Sequence, residues 1–361
     1  MKIDFANLQY QYQLYKSEID KAIHNVLDKS NYIMGEEVSQ LEKNLEEFTD
    51  AKYAITCSSG TDALLLSMMA LDIKAGDEVI TTPFTFIATA ETIALMGAVP
   101  VFVDIDEKTY TIDSSKIEEK ISSKTKAIIP VSLYGQVADM ENIQNIADKY
   151  NLKVIVDGAQ SFGATYNEKM DSTLGDISTT SFFPAKPLGC FGDGGAVFTN
   201  DEELALKMKQ LRVHGQNKRY HHKYIGMGGR MDTLQCAIVN VKLQYYKEDL
   251  VLRQKVADKY TQSLQNKDLT LPFIAKNVTS VFAQYSIRVK NRDEVQARLK
   301  EQGIPTAVHY PIPLHLQKCF QYLGYKKGDF PISELVSQEI LSLPMNPYLR
   351  DDEIEYIANN L

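Results

Sequence analysis

Short apolar runs alternate with longer amphipathic stretches along the first half of the chain. Tyr53–Cys57 reads as a strand, Ser58-Ser59-Gly60-Thr61-Asp62 as a tight turn and 63–71 as an apolar helix. Further strands are predicted at Glu78–Thr81, 99–103, 127–131, Lys153–Asp157 and Gly195–Thr199, with helices at 85–96 and 143–150. Strands separated by helices imply a mostly parallel sheet covered on both faces. Upstream, Ile19, Ile23, Val26 and Leu27 share one face of a helix over 14–28, and His24 falls off that face. Residues 31–35 break the pattern, after which Val38, Leu41, Leu45 and Phe48 return at helical spacing.

Beyond Asp201 the pattern turns helical, interrupted by a polar, basic loop at 214–223, and 231–255 reads as one or two helices. Residues 280–289 alternate like a half-buried strand, with Tyr285, Ile287 and Val289 on one face. A helix over 292–302 is stopped by Gly303. Residues 306–314 form an extended, proline-stiffened stretch, and 343–347 a loop before a final helix at 351–361. The predicted class is α/β. A large domain at 13–247 carries the mostly parallel sheet, a smaller α+β domain occupies 248–361, and 1–12 form an N-terminal arm. Two lobes suit 361 residues, because single cores stop growing near ~250–300 residues.

Composition mainly excludes. Apolar residues at 44% and charged residues at 24% are ordinary for a globular chain. A net charge of −8 argues against nucleic acid or an anionic membrane as partner. Cys57, Cys190, Cys236 and Cys319 form no CxxC pair, so reduced thiols in a cytoplasmic protein are expected. Residues 1–11 hold no apolar stretch of signal-peptide length, and no run approaches the ~20 residues of a membrane span. His221 and His222 are adjacent but lack a carboxylate partner in sequence, so no metal is expected.

The candidate chemistry concentrates around Lys186. It stands between Pro184 and Pro187, ahead of a glycine-rich run that ends in Gly192-Asp193-Gly194-Gly195. The prolines stiffen the backbone and the glycines let it approach a flat ligand. An amine held this way suits Schiff-base chemistry with an aldehyde; a solvated surface lysine is the alternative. In parallel sheets ligands bind at the carboxyl ends of strands. There, Ser59-Gly60-Thr61 is either a phosphate cradle or a plain helix cap. Asp157, ending the apolar strand Val154-Ile155-Val156, either holds a protonated ring nitrogen or caps the next helix. Phe84 and Phe86 either stack on a cofactor or fill the core. His309 and Tyr310 either reach a cleft between lobes or pack as an interdomain loop. The residues alone leave these pairs open.

As a set, Gly60-Thr61, Asp157-Gly158-Ala159-Gln160 and Ser181…Lys186-Pro187-Leu188-Gly189…Gly192-Asp193-Gly194-Gly195 resemble the DegT/StrS family of nucleotide-sugar aminotransferases. That family depends on pyridoxal 5′-phosphate (PLP) and has the aspartate-aminotransferase-like, type I fold. The resemblance runs from residues 32–35 to 343–347. It implies that Lys186 holds PLP and shuttles the proton, Asp157 pairs with the pyridinium nitrogen and Gln160 lies near the phenolic oxygen. Gly60, Thr61 and Ser181 are implied at the phosphate, and Phe86 on the ring face. It further implies a homodimer with shared active sites. Arg230 then binds the donor carboxylate or the sugar nucleotide across the dimer, the 214–223 loop lies near a partner's cleft, and His309 and Tyr310 face the substrate. One place departs: many relatives carry an asparagine just ahead of the Arg-x-Asp at Arg230-Met231-Asp232, reaching the partner's phosphate, whereas glycines stand here. Backbone amides are left to replace it.

The implied reaction moves an amino group from L-glutamate to the ketone of a nucleotide-linked keto-sugar. The nearest resemblance is to enzymes of UDP-2-acetamido-3-keto sugars, of the glucuronate or glucose form, serving surface polysaccharide or lipid A. A 4-keto substrate and a non-catalytic sensor on the same fold are the alternatives. The family's dehydratases carry histidine in place of Lys186, which disfavours that activity. The glycines of 189–195 follow no dinucleotide-binding strand, so they are not a nucleotide fingerprint.

Overall fold

The computed structural model describes residues 3–361; residues 1 and 2 of the expected arm lie outside them. Helices α1 (Leu8–Lys29) and α2 (Glu36–Thr49) lead into β1 (Tyr53–Cys57) and α3 (Gly60–Ala70). Then come β2 (Glu78–Thr81), α4 (Ala88–Leu95), β3 (Val99–Phe102), β4 (Thr125–Ile128), α5 (Met140–Tyr150) and β5 (Lys153–Asp157). A small hairpin, β6 (Thr165–Tyr166) with β7 (Lys169–Met170), precedes β8 (Ile177–Ser181) and β9 (Gly195–Thr199). The central sheet has seven strands in the order β1-β9-β8-β5-β4-β2-β3. Its β3, β2, β4, β5 and β8 pair in parallel, while β9 runs antiparallel to both β8 and β1. Strands β1 and β8 therefore point the same way, and their carboxyl ends meet at one edge.

Most of the strands are apolar because both faces are covered; β8 instead buries hydroxyls, Thr179 Oγ1 donating to the Val156 carbonyl at 3.1 Å. On one face Val38, Leu41 and Leu45 of α2 pack with Phe162, Phe182 and Phe198. On the other, Ala63 and Leu66 of α3 pack with Ile55, Ile177 and Val197. Helix α1 begins at Leu8, ahead of the predicted residue 14. Its first turns carry no apolar stripe and are tied down by Gln11, whose Nε2 donates to Asp249 at 3.1 Å.

The rest of the chain is α6 (Glu202–Leu211), the hairpin β10 (Gln216–Lys218) with β11 (His221–His222), α7 (Thr233–Leu264), β12 (Tyr285–Arg288), α8 (Arg292–Glu301), α9 (Pro331–Glu339), β13 (Ile340–Leu343) and α10 (Asp351–Asn359). The 214–223 segment is thus a hairpin rather than an irregular loop. Helix α7 is one unbroken helix about 48 Å long at 1.5 Å per residue, and residues 247 and 248 lie within it. Its far end joins Tyr285, Ile287, Leu341, Leu343, Ile354 and Ile357 in a separate core, to which Ile3 also belongs. Strand β12 is shorter than the predicted 280–289 and buried on both faces. Ser286 bonds Ser342 at 2.8 Å and Arg288 pairs with Glu339, so its polar residues are buried too. Helix α9 and strand β13 were not predicted. Among the described residues, no helix is long and apolar enough to cross a membrane.

Candidate active site

The carboxyl ends of β1, β5 and β8, with the loops after β2 and β4, enclose one cavity of about 490 Å³. Gly60, Thr61, Phe86, Asp157, Gln160, Ser181, Lys186, His309 and Tyr310 all line it. Nine residues spread over 250 positions therefore converge, and Lys186 and Asp157 face the same space. Arg230 does not line the cavity within this chain.

At one end, β1 turns into α3. Ser59 caps the helix, its Oγ accepting the Asp62 N–H at 3.0 Å and its carbonyl the Ala63 N–H at 3.0 Å. The cap and cradle readings of this turn are thus compatible. The N–H groups of Gly60 and Thr61, at the first helical positions, have no intrahelical acceptor and remain for an anion. A Cβ on Gly60 would lie 2.7 Å from Cβ of Ser181, so only glycine lets this turn close against β8. The carbonyl of Gly229 accepts the Ser58 N–H at 3.0 Å, tying the glycine segment that lacks the asparagine to the same turn.

On the cavity floor, Asp157 is buried at the end of β5. Its Oδ2 accepts from Thr89 Oγ1 at 2.7 Å and its Oδ1 from the Ala159 N–H at 3.2 Å. Burial pushes its carboxyl above the ordinary value, against the pull of those two donors and of Lys186. A cation placed against it would reverse that balance. Lys186 rises from a turn closed by its own N–H to the Phe183 carbonyl at 2.8 Å. Its Nζ makes no hydrogen bond among the described residues, and burial pushes the amine down to about 8, with Asp157 opposing.

The opposite wall is a chain of hydrogen bonds. Gln160 accepts the Tyr134 N–H at 2.8 Å and donates to the Tyr310 hydroxyl at 3.2 Å. Tyr134 Oη donates to the His309 carbonyl, and His309 Nδ1 meets Ser342 Oγ at 2.9 Å. Burial, then Lys186, push the His309 imidazole down to about 4, so it is neutral at physiological pH. Phe86 is 53% exposed and leans 40° to the Tyr310 ring at 6.0 Å, leaving it open to a flat ring. Phe84, by contrast, is fully buried core.

A family model for DegT/DnrJ/EryC1/StrS aminotransferases matches residues 13–361. The chain belongs to this aminotransferase family. The UDP-2-acetamido-2-deoxy-3-oxo-D-glucuronate aminotransferase of Pseudomonas aeruginosa is 51% identical over 356 residues, 99% of this chain and 98% of that one. The solved structure of S. venezuelae DesV in complex with a ketimine intermediate matches with a TM-score of 0.97 at 34% identity, over 99% of this chain and 97% of the other. Bacillus subtilis NtdA with bound cofactor PMP matches with a TM-score of 0.92 at 34% identity, over 99% and 84%. The aminotransferase fold inferred from the motifs is therefore correct.

The residues fit the cofactor of that family. Unclaimed helix N–H groups, a glycine-only contact at Ser181, a buried carboxylate with open acceptor capacity and an unbonded lysine all face one space. Three supporting residues escaped the sequence reading. Thr89, which orients Asp157, and Tyr134, which orients Gln160, carry no local signal. Lys242 did carry one: it lies among the buried positions of α7 that include Cys236, Val239, Leu243 and Tyr246. Its Nζ donates to the Gly189 carbonyl and so braces the turn that presents Lys186.

Lowering the Lys186 amine from 10.5 to about 8 raises its neutral fraction at pH 7 by about 300-fold. Only the neutral amine attacks an aldehyde. Capture of PLP by cofactor-free aminotransferase, followed by visible absorbance, is expected to accelerate as pH rises and to level off above an inflection near 8. A rate that climbs without inflection up to pH 10 would contradict the lowered value.

Proposed function

We propose that this chain is a PLP-dependent enzyme that carries an amino group from L-glutamate to the C3 ketone of a UDP-linked 2-acetamido-3-keto sugar. The observation that carries the reading is the meeting of Lys186 and Asp157 in one cavity beside a helix N-terminus. The sugar class is supported by the full-length Pseudomonas aeruginosa relative. The product would be a 2,3-diamino sugar for surface polysaccharide or lipid A, made in the cytoplasm.

In this reading Lys186 Nζ would hold PLP, Asp157 would serve the ring nitrogen, and Gln160 would serve the ring's oxygen. The N–H groups of Gly60 and Thr61 and the Ser181 hydroxyl bind the phosphate, with Phe86 against the ring. When bound, PLP supplies an electron sink for the pair left behind when a carbon loses its proton. Lys186 Nζ, once free and neutral, takes the proton from the α-carbon of glutamate. In the second half-reaction the same Nζ delivers a proton to the sugar carbon that was the ketone. Thr89 and the Ala159 N–H keep Asp157 aimed and pull its carboxyl down against the larger effect of burial, and the neutral His309 and Tyr310 face the sugar.

The enzyme is proposed to work as a homodimer with shared sites. Ile225 is 92% exposed and Tyr220 76%, beside the β10–β11 hairpin, and Phe183 is exposed at the cavity mouth. Water-facing apolar groups of this size suit a covering subunit, which would also bring Arg230 to a partner's cavity.

Turnover with 3-keto and 4-keto UDP-sugars and glutamate tests the substrate. The expected result is amination of the 3-keto sugar; activity confined to the 4-keto sugar would reject the assignment. Cofactor absorbance without turnover on any keto-sugar would favour a sensor instead.

A further inference from the structure

Gln284 sits immediately before β12 and lines the cavity with Lys186, His309 and Tyr310. Among the described residues, neither end of its carboxamide has a hydrogen-bond partner. Its Oε1 is buried and unpaired, and its Nε2 donates to no group of the described chain. Its neighbours on that wall each hold a protein partner, while His309 Nε2 and the Tyr310 hydroxyl proton stay free for a ligand. Gln160 is engaged at both ends of its amide, His309 at Nδ1 and at its carbonyl, and Tyr310 with Gln160. The backbone carrying Gln284 is held firmly. Tyr285 is fully buried and pairs with Leu343, and Arg253 donates to the Phe282 carbonyl at 3.0 Å. The side chain is thus a neutral, unclaimed amide presented on a rigid support.

Resting on the function proposed above, we infer that Gln284 is a specificity-determining residue: Nε2 donates to the acetyl carbonyl of the substituent on the carbon next to the ketone. A neutral amide donor suits a neutral carbonyl. The carboxylates of glutamate call instead for a charged, forked partner. An amide with no partner in the chain also gives the site a means of rejection, because a sugar without the acetyl group leaves it unpaired.

The test uses holoenzyme in the reverse half-reaction, followed by cofactor absorbance in single turnovers. The probes are the UDP-linked 2-acetamido-3-amino sugar and its 2-hydroxy-3-amino counterpart. Wild-type enzyme is expected to prefer the acetamido sugar by about tenfold, the worth of one such bond. Gln284→Leu should lose that preference by slowing on the acetamido sugar alone. Gln284→Glu keeps the shape but has no N–H to donate, and should lose the preference as well; it serves if the leucine variant fails to take up cofactor. A preference retained in both variants, or an equal loss on both sugars, would overturn the assignment. Wild-type enzyme inert toward both sugars would overturn the proposed reaction, and this inference with it.

Discussion

Lys186→Ala protein is expected to fold, to bind PLP without covalent attachment, and to turn over at least ~10³-fold more slowly than wild type. The reason is that one nitrogen serves two roles. Among the described residues its Nζ is the only unbonded amine lining the cavity, and burial has already brought it down to about 8. A positioned acid–base group contributes typically 10²–10⁴-fold, and loss of the covalent hold adds to that. Folding should survive because the turn is braced elsewhere. Cys190 N–H donates to the Phe182 carbonyl at 2.8 Å, and Lys242 holds Gly189. Far-ultraviolet circular dichroism and cofactor absorbance check the fold and the attachment, and steady-state assay checks the rate. Full activity in the variant would remove Lys186 from the chemistry.

Asp157→Asn is expected to lower kcat by about 10²–10³-fold, the usual cost of losing one electrostatic partner in a closed site. The substitution keeps the shape. An asparagine oxygen can still accept from Thr89 Oγ1 or the Ala159 N–H, so the loss reports charge rather than collapse. A second readout comes from the sign of the coupling. The Asp157 carboxylate raises the Lys186 amine against the larger downward effect of burial. Removing that charge must lower the amine further, so the inflection for PLP capture should move to lower pH than in wild type. An inflection that stays put would mean the two side chains do not sense each other, and one that moves upward would contradict the sign of the coupling. A variant with near-normal kcat would mean Asp157 does not hold the cofactor's charge.

Much of the large sheet was legible because its strands are buried on both faces. Tyr53–Cys57, Glu78–Thr81, Lys153–Asp157 and Gly195–Thr199 stand where the apolar runs placed them. A fully covered strand is usually apolar at consecutive positions, and that leaves a local mark; β8, buried but rich in hydroxyls, left none. The elements that escaped have weaker marks. Helix α9 buries Ser333, Glu334 and Ser337 along with Val336, so its inner face does not read as apolar. Glu334 is buried because it meets His315 at 3.0 Å, and Ser333 because Asp104 accepts from its hydroxyl at 2.6 Å. Polar residues become interior through partners far away in sequence, and no local pattern announces them.

The candidate site divides the same way. Gly60, Asp157 and Ser181, at strand ends, and Lys186, in the turn between β8 and β9, were identifiable from short motifs that the family resemblance singles out. Thr89 and Gln284 were not, because a threonine within a helix and a glutamine before a strand are commonplace until their neighbours are known.

The sequence by itself determined most strands of the large sheet, though not β8, the residue types at several of their ends, and the family the chain belongs to. These come from burial pattern and motif spacing, which are properties of neighbouring residues. Only the tertiary structure decided that β9 inserts backwards between β1 and β8, bringing Gly60 against Ser181, and that a buried amine and a buried carboxylate share one cavity. The pairing of β1 with β9 and the approach of Gly60 to Ser181 span more than a hundred residues, where the geometry of chain closure and packing selects the neighbour.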